Sequence, residues 1–101
     1  MPAYVISEVD VVDESAARHY MKFAQLAIAE YGGRYLVRGA QAEVMEGDPI
    51  DRKIIIVEFP SLERVREWYA SSAYAKALQY RERPLRRKLT FVDGTTPFSD
   101  Q

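Results

Sequence analysis

The chain has 101 residues, a formal net charge of -1 and no cysteine. This length makes one domain, and the charge balance supplies no global field to draw nucleic acid or an anionic membrane. The lack of cysteine removes disulfides, thiolate nucleophiles and cysteine metal sites together, and it suits a reducing compartment.

Hydrophobic residues make up 48% of the chain. That is generous for a domain that buries only about 60–65% of the surface its unfolded chain exposes, so part of the apolar surface is expected to meet a partner. Met1-Pro2-Ala3-Tyr4 lacks the basic start and apolar run of a signal peptide. The longest purely apolar run, Ile54 to Val57, is far too short to span a bilayer. A cytoplasmic protein without membrane contact is expected.

Tyr4 to Val11 reads as a strand, with Val5, Ser7, Val9 and Val11 on one face and Tyr4 and Ile6 on the other. Asp13 is a suitable N-cap for a helix whose first turn holds Glu14. From Glu14 to about Tyr31, the residues Ala17, Tyr20, Met21, Ala24, Ala27, Ile28 and Tyr31 recur at helical spacing. Gly32 and Gly33 stop that helix. Arg34 to Glu46 reads as a second strand, Glu46 to Asp51 as a turn, and Arg52 to Phe59 as a third strand, apolar on both faces. A short loop between two strands predicts a hairpin.

Ser61 is the expected N-cap of a second helix, with Leu62, Val65, Trp68 and Tyr69 as its buried stripe. Ser71-Ser72 interrupts it, Ala75 and Leu78 continue it as a short further segment, and Pro84 closes it. Lys88 to Val92 reads as a fourth strand, with Leu89 and Phe91 on one face and Val92 on the other. Residues 1–94 form the domain and residues 95–101 a tail without periodicity.

The order βαββαβ predicts an α+β, ferredoxin-like domain: a four-stranded antiparallel sheet with two helices on one face. Two helices cover only one side, yet all four strands carry apolar residues on both. An uncovered apolar face of that size is rare in monomers, so a homodimer packed sheet to sheet is expected.

Four stretches in order carry a family resemblance. They are Tyr31-Gly32-Gly33-Arg34-Tyr35-Leu36-Val37-Arg38-Gly39, Glu58-Phe59-Pro60-Ser61, Trp68-Tyr69-Ala70-Ser71-Ser72-Ala73-Tyr74, and Arg81. Over roughly Tyr4 to Gly94 the chain resembles an uncharacterised bacterial family, the domain of unknown function numbered 1330, of the dimeric α+β barrel superfamily. Ala40 departs from it, since the family often has a glycine there. The resemblance implies a ferredoxin-like fold and a dimeric barrel, and it implies no activity.

Arg38 and Glu58 are the first candidates for chemistry. A hairpin loop of Gly47 to Asp51 would pair Glu46 with Arg52 and set Ala40 opposite Glu58, leaving Arg38 as the diagonal neighbour of Glu58 on the same face. The pair is then either a structural ion pair at the sheet surface or dimer seam, or a carboxylate-binding arginine and its releasing partner. Trp68, Tyr69 and Tyr74, with Tyr20 and Tyr35, form either an aromatic core or the wall of a pocket between helix and sheet.

His19, the single histidine, falls on the far side of its helix, near Phe23 and Leu26, which favours a surface or oligomer-contact role over general-base catalysis. The basic run Arg81, Arg83, Arg86, Arg87 and Lys88 reads as a solvated face. Within it, Arg81 matches the family pattern and is the candidate for a pocket or interface.

The chain has no phosphate-cradling glycine loop, no Gly-x-Ser-x-Gly elbow and no zinc pattern, so no cofactor and no metal are expected. Two functions remain open. One is a cofactor-independent enzyme acting on a small aromatic or carboxylate-bearing molecule, with Arg38 orienting the substrate and Glu58 or a tyrosine moving a proton. The other is a non-catalytic small-molecule-binding or interaction homodimer. An enzyme should turn an ionisable group into a water-accessible cavity, whereas in a pure interaction module Arg38 and Glu58 would close on each other.

Overall fold

The structure, a computed structural model, describes residues 1–11, 14–49, 52–79 and 85–94. The expectations for Asp13, Arg81, Pro84 and the tail 95–101 lie outside the described residues. The elements are β1 (Ala3–Val11), α1 (Glu14–Glu30), β2 (Arg34–Gln41), β3 (Lys53–Phe59), α2 (Leu62–Tyr69), α3 (Ser72–Leu78) and β4 (Leu85–Asp93). They form one antiparallel sheet in the order β2-β3-β1-β4, with the helices on one face.

Alternation along β1 shows how the sequence selects that face. Ala3, Val5, Ser7 and Val9 are buried under the helices, while Tyr4, Ile6 and Glu8 between them are only half-buried. Ile6, Ile54 and Ile56 therefore sit on the open side, next to the exposed Leu36 and Val92. On the covered side, Ala17, Tyr20, Ala24, Ala27 and Ile28 of α1 join Val57, Phe59, Val65, Trp68, Tyr74 and Ala77 in one core.

The end of α1 depends on two glycines for different reasons. Gly32 has φ of 80°, the left-handed conformation of a helix C-cap. At Gly33 a Cβ would lie 2.7 Å from Ile28 Cγ2 and 2.8 Å from Phe59 Cε1, so the position must be bare for β2 to leave beneath the helix. Ser61 caps α2 by accepting from Arg64 N–H at 3.1 Å.

Four expectations need correction. β2 ends at Gln41, not at Glu46, because the ladder with β3 ends where Gln41 meets Lys53, the first residue of that strand. β4 begins at Leu85, not at Lys88, since Val9 to Val11 of β1 supply a ladder that extends through the basic residues. The short further helical segment forms as α3 and buries Tyr74 and Ala77, with Ala75 exposed. Ser71 accepts from Tyr74 N–H at 3.0 Å and starts a new helix, which resets the phase of the stripe. Third, Tyr69, the last residue of α2, is exposed rather than part of the buried stripe.

The fourth correction concerns Arg38 and Glu58. Glu58 is opposite Arg34, and the two form an ion pair at 2.8 Å, while Arg38 is opposite Ile55. Gln41 is opposite Lys53, so the pairing is already displaced from the one counted from a Gly47 to Asp51 loop, and two bulges, one between Arg38 and Ala40 and one between Tyr35 and Val37, displace it further. Arg38 and Glu58 consequently lie on opposite faces of the sheet.

Candidate functional site

A cavity of about 210 Å³ lies between α1 and the sheet. Its floor is two rows of side chains running across the strands. Arg38, Ile55, Ser7 and Leu89 make one row, and Lys53, Val9 and Arg87 make the next. Tyr20, Met21, Ala24 and Ile28 of α1 form the roof, and Tyr35 and Trp68 close one end. Small side chains, Ser7 below and Ala24 above, leave the space unfilled.

Arg38 reaches this side because of the first bulge. Strict alternation from Tyr35 would send residue 37 inward and residue 38 outward. The extra residue at the bulge puts both Leu36 and Val37 outside, so Arg38 turns in beside Tyr35. Its guanidinium carbon lies 4.6 Å from the centre of the Tyr35 ring, and it donates to Gln25 Oε1 of α1.

Arg87 enters from the opposite edge strand. It donates to the hydroxyls of both Tyr20 and Tyr74, and its guanidinium carbon is 4.7 Å from the centre of the Tyr20 ring. Those hydroxyls are themselves 2.6 Å apart. The Trp68 ring packs on Tyr74 at 4.3 Å and on Phe59 at 5.3 Å between centroids, which fixes the wall behind them.

Burial pushes the Tyr20 phenol far above the ordinary tyrosine range; Tyr74 adds to this, and Arg87 offsets only part of it. Tyr35 is also raised by burial, with Arg38 opposing. Burial works against the charge on Arg87, but the tyrosine oxygens outweigh it and hold its pKa up. Tyr20 is thus an uncharged phenol at any physiological pH, and Arg87 is a cation.

Arg38, Lys53 and Arg87 line the cavity, and no carboxylate does so among the described residues. Neither Arg38 nor Arg87 has an acidic partner within ion-pairing distance there. Two more polar groups are unpartnered: Ser7 Oγ and Trp68 Nε1, on residues only 5% and 2% exposed. The arrangement can hold an anion in aromatic surroundings and donate protons to it.

Of the residues singled out from the sequence, Tyr20, Tyr35, Arg38 and Trp68 line the cavity. Tyr74 bounds it through its bonds to Tyr20 and Arg87. Glu58 and Tyr69 do not line it, and Arg81 lies outside the described residues. Arg87 corrects the reading of the basic run as a solvated face. The signal was available, since Arg87, Leu89 and Phe91 alternate on one face of β4. His19 is exposed on α1, where its Nδ1 donates to the Ser15 carbonyl at 3.0 Å. Among the described residues no group of three or more metal-ligating side chains gathers, and no helix is long and apolar enough to cross a membrane.

Residues 2–95 match a family model described as a domain of unknown function, DUF1330. The chain belongs to the DUF1330 family. No curated protein matches it by comparison. Among solved structures, this DUF1330 chain is similar to a protein of unknown function from Rhodopseudomonas palustris, with a TM-score of 0.75 at 20% identity, covering 95% of this chain and 84% of that one. A conserved protein of unknown function from Bacteroides thetaiotaomicron gives a TM-score of 0.66 at 13% identity, covering 92% and 97%. SnoaB, a cofactor-independent oxygenase from Streptomyces nogalater, gives 0.65 at 10% identity, covering 98% of each chain. At such identities the likeness is one of fold: the α+β barrel type.

Proposed function

We propose that this DUF1330 protein binds a small aromatic or otherwise apolar molecule carrying a carboxylate or comparable anionic oxygen. The observation that carries this reading is the pair of inward arginines, Arg38 and Arg87, lining an aromatic cavity without a carboxylate among the described residues to neutralise them. Arg87 is a half-buried cation, which an anionic ligand would neutralise, and the more exposed Arg38 adds a second positive charge at the other side of the cavity. Arg38 faces the cavity while Glu58 is engaged by Arg34, which favours a ligand site over an Arg38–Glu58 seam. A cavity of roughly 150 Å³ is enough for benzene, so the space here suits a one- or two-ring molecule.

Trp68 is the single tryptophan, and it lines the cavity, so its fluorescence reports occupancy directly. Titration with 2-naphthoate should quench or shift that emission, and the uncharged 2-naphthamide should bind at least ~10-fold more weakly. Equal binding of the two would remove the anionic reading.

A second, catalytic reading is supported by the Tyr20–Tyr74–Arg87 cluster, which combines a proton donor and a fixed cation at one end of the cavity. Such a pair stabilises negative charge developing on a bound substrate, consistent with a cofactor-independent enzyme that relies on the substrate's own acidity. Mass spectrometry of bound ligand after aerobic incubation tests it, and unchanged ligand mass leaves binding alone.

The open sheet face supports a homodimer. Ile6, Ile54, Ile56, Leu36 and Val92 form an apolar surface that a second copy can cover. Light scattering behind a sizing column should give twice the chain mass, and a monomer at micromolar concentration would refute it.

A further inference from the structure

We infer that the ligand of this cavity is a dianion lying lengthwise across the sheet, with one acidic group at Arg87 and the other at Arg38 and Lys53. This rests on the anion-binding reading above and specifies the ligand further. The three cations line one cavity and all keep accessible surface: Arg87 is half-buried, and Arg38 and Lys53 are exposed. They come from opposite sides of it, Arg87 from the edge strand β4 and the other two from β2 and β3.

Two separate measures set the ends apart. Along the floor, Lys53 is opposite Val9 and Val9 is opposite Arg87, so two strand spacings, about 10 Å, divide Lys53 from Arg87 at the backbone. Along the roof, both guanidiniums are tied to α1, Arg38 to Gln25 and Arg87 to Tyr20. Those two helix positions are about 7.5 Å apart along the axis and roughly 140° apart around it. A guanidinium holds a carboxylate oxygen at about 2.7–2.9 Å, so an acid seated on one is out of reach of the other. Among the described residues Arg38 gives one donor to Gln25 and Arg87 gives two to tyrosines, so both keep donors for a ligand.

Between the ends the cavity is apolar, with Val9, Ile55 and Leu89 on the floor and Ala24 and Ile28 on the roof. A monoanion neutralises one end only. A molecule with an acid at each end and a ring between them meets both ends and the apolar middle. The class is an aromatic or otherwise apolar spacer carrying two separated acidic groups.

Three probes of one ring system test this. In 2,6-naphthalenedicarboxylate the acids are at opposite ends, in 2,3-naphthalenedicarboxylate the same charge is on neighbouring carbons, and 6-carbamoyl-2-naphthoate keeps the first shape with a single charge. Calorimetric titration of the wild-type chain should show 2,6-naphthalenedicarboxylate binding at least ~10-fold tighter than either of the others. R38A and R87M should each cut its advantage over 6-carbamoyl-2-naphthoate to roughly threefold or less, because each removes the arginine at one end. R87M also loses the bonds to Tyr20 and Tyr74, and R38A keeps the test decisive should R87M not fold.

Equal affinity for 2,6-naphthalenedicarboxylate and 6-carbamoyl-2-naphthoate overturns the inference and leaves the anionic reading standing. Equal affinity for the two diacids, or an advantage that survives R87M, does the same. Binding of neutral 2,6-naphthalenedicarboxamide as tight as that of the 2,6-diacid overturns the anionic reading and the inference with it, as does binding of none of these molecules.

Discussion

The hydroxyls of Tyr20 and Tyr74, carried by two helices and 54 positions apart in the chain, meet at 2.6 Å. Their rings stand edge to face with centroids 6.2 Å apart. Both oxygens accept from Arg87 on an edge strand, so three elements are tied at one point. The half-buried guanidinium gains two hydrogen bonds there, which offset part of its desolvation while leaving its charge without a counter-ion among the described residues.

Removing either hydroxyl should therefore destabilise the fold. Y20F and Y74F should each cost about 1–2 kcal/mol in urea unfolding. The double variant should cost less than the sum, because the two oxygens share Arg87 and each other. Strict additivity would show that the three groups are not one network.

The same burial sets a pH dependence. Tyr20 and Tyr35 both have pKa values raised by folding, Tyr20 the more. The unfolded chain then loses protons near pH ~10, while the folded chain retains them. Fewer protons are bound in the unfolded state, so the stability these groups contribute is complete below about pH 10 and is lost as pH rises above it, by up to ~1.4 kcal/mol per pH unit for each group. Unfolding midpoints measured between about pH 8 and pH 11 should be flat and then fall, and Y20F should flatten the fall. An unchanged slope in Y20F would dissociate Tyr20 from the effect.

The glycines of the β2 region should respond differently to alanine. G33A forces a Cβ into Ile28 and Phe59 and should cost roughly 1–3 kcal/mol. At Gly39 a Cβ meets nothing within 4 Å, but φ is 83°, so G39A carries only backbone strain of about 1–2 kcal/mol. G39N should recover much of that, since asparagine tolerates the left-handed region, whereas G33N should be worse than G33A. Equal tolerance of alanine and asparagine at both positions would contradict this packing.

Two arginines on the same strand should also separate. R34A removes an ion pair in which Arg34 is 72% exposed, and it should change stability by less than ~1 kcal/mol and leave 2-naphthoate binding intact. R38A should likewise spare the fold but weaken 2-naphthoate at least ~10-fold. Titration of both variants decides it; equal loss in the two would mean that the bulge does not direct the site.

The sequence by itself determined the element types, their order and the two-sided apolar character of the sheet. Those properties follow from periodicity, capping and glycine chemistry, which act within a few residues: Ser61 caps its helix, Gly32 ends another, and Ile54 to Val57 pair on both edges. It also brought Tyr20, Trp68 and Tyr74 forward as a group. Only the tertiary structure decided which arginines face the cavity. Arg38 turns inward through a bulge, a one-residue change of pairing that reverses a side chain without altering any local pattern. Arg87 is drawn in because β1 extends the ladder into a basic run that by composition belongs to solvent. Its charge is then held by two hydroxyls that no sequence spacing brings together.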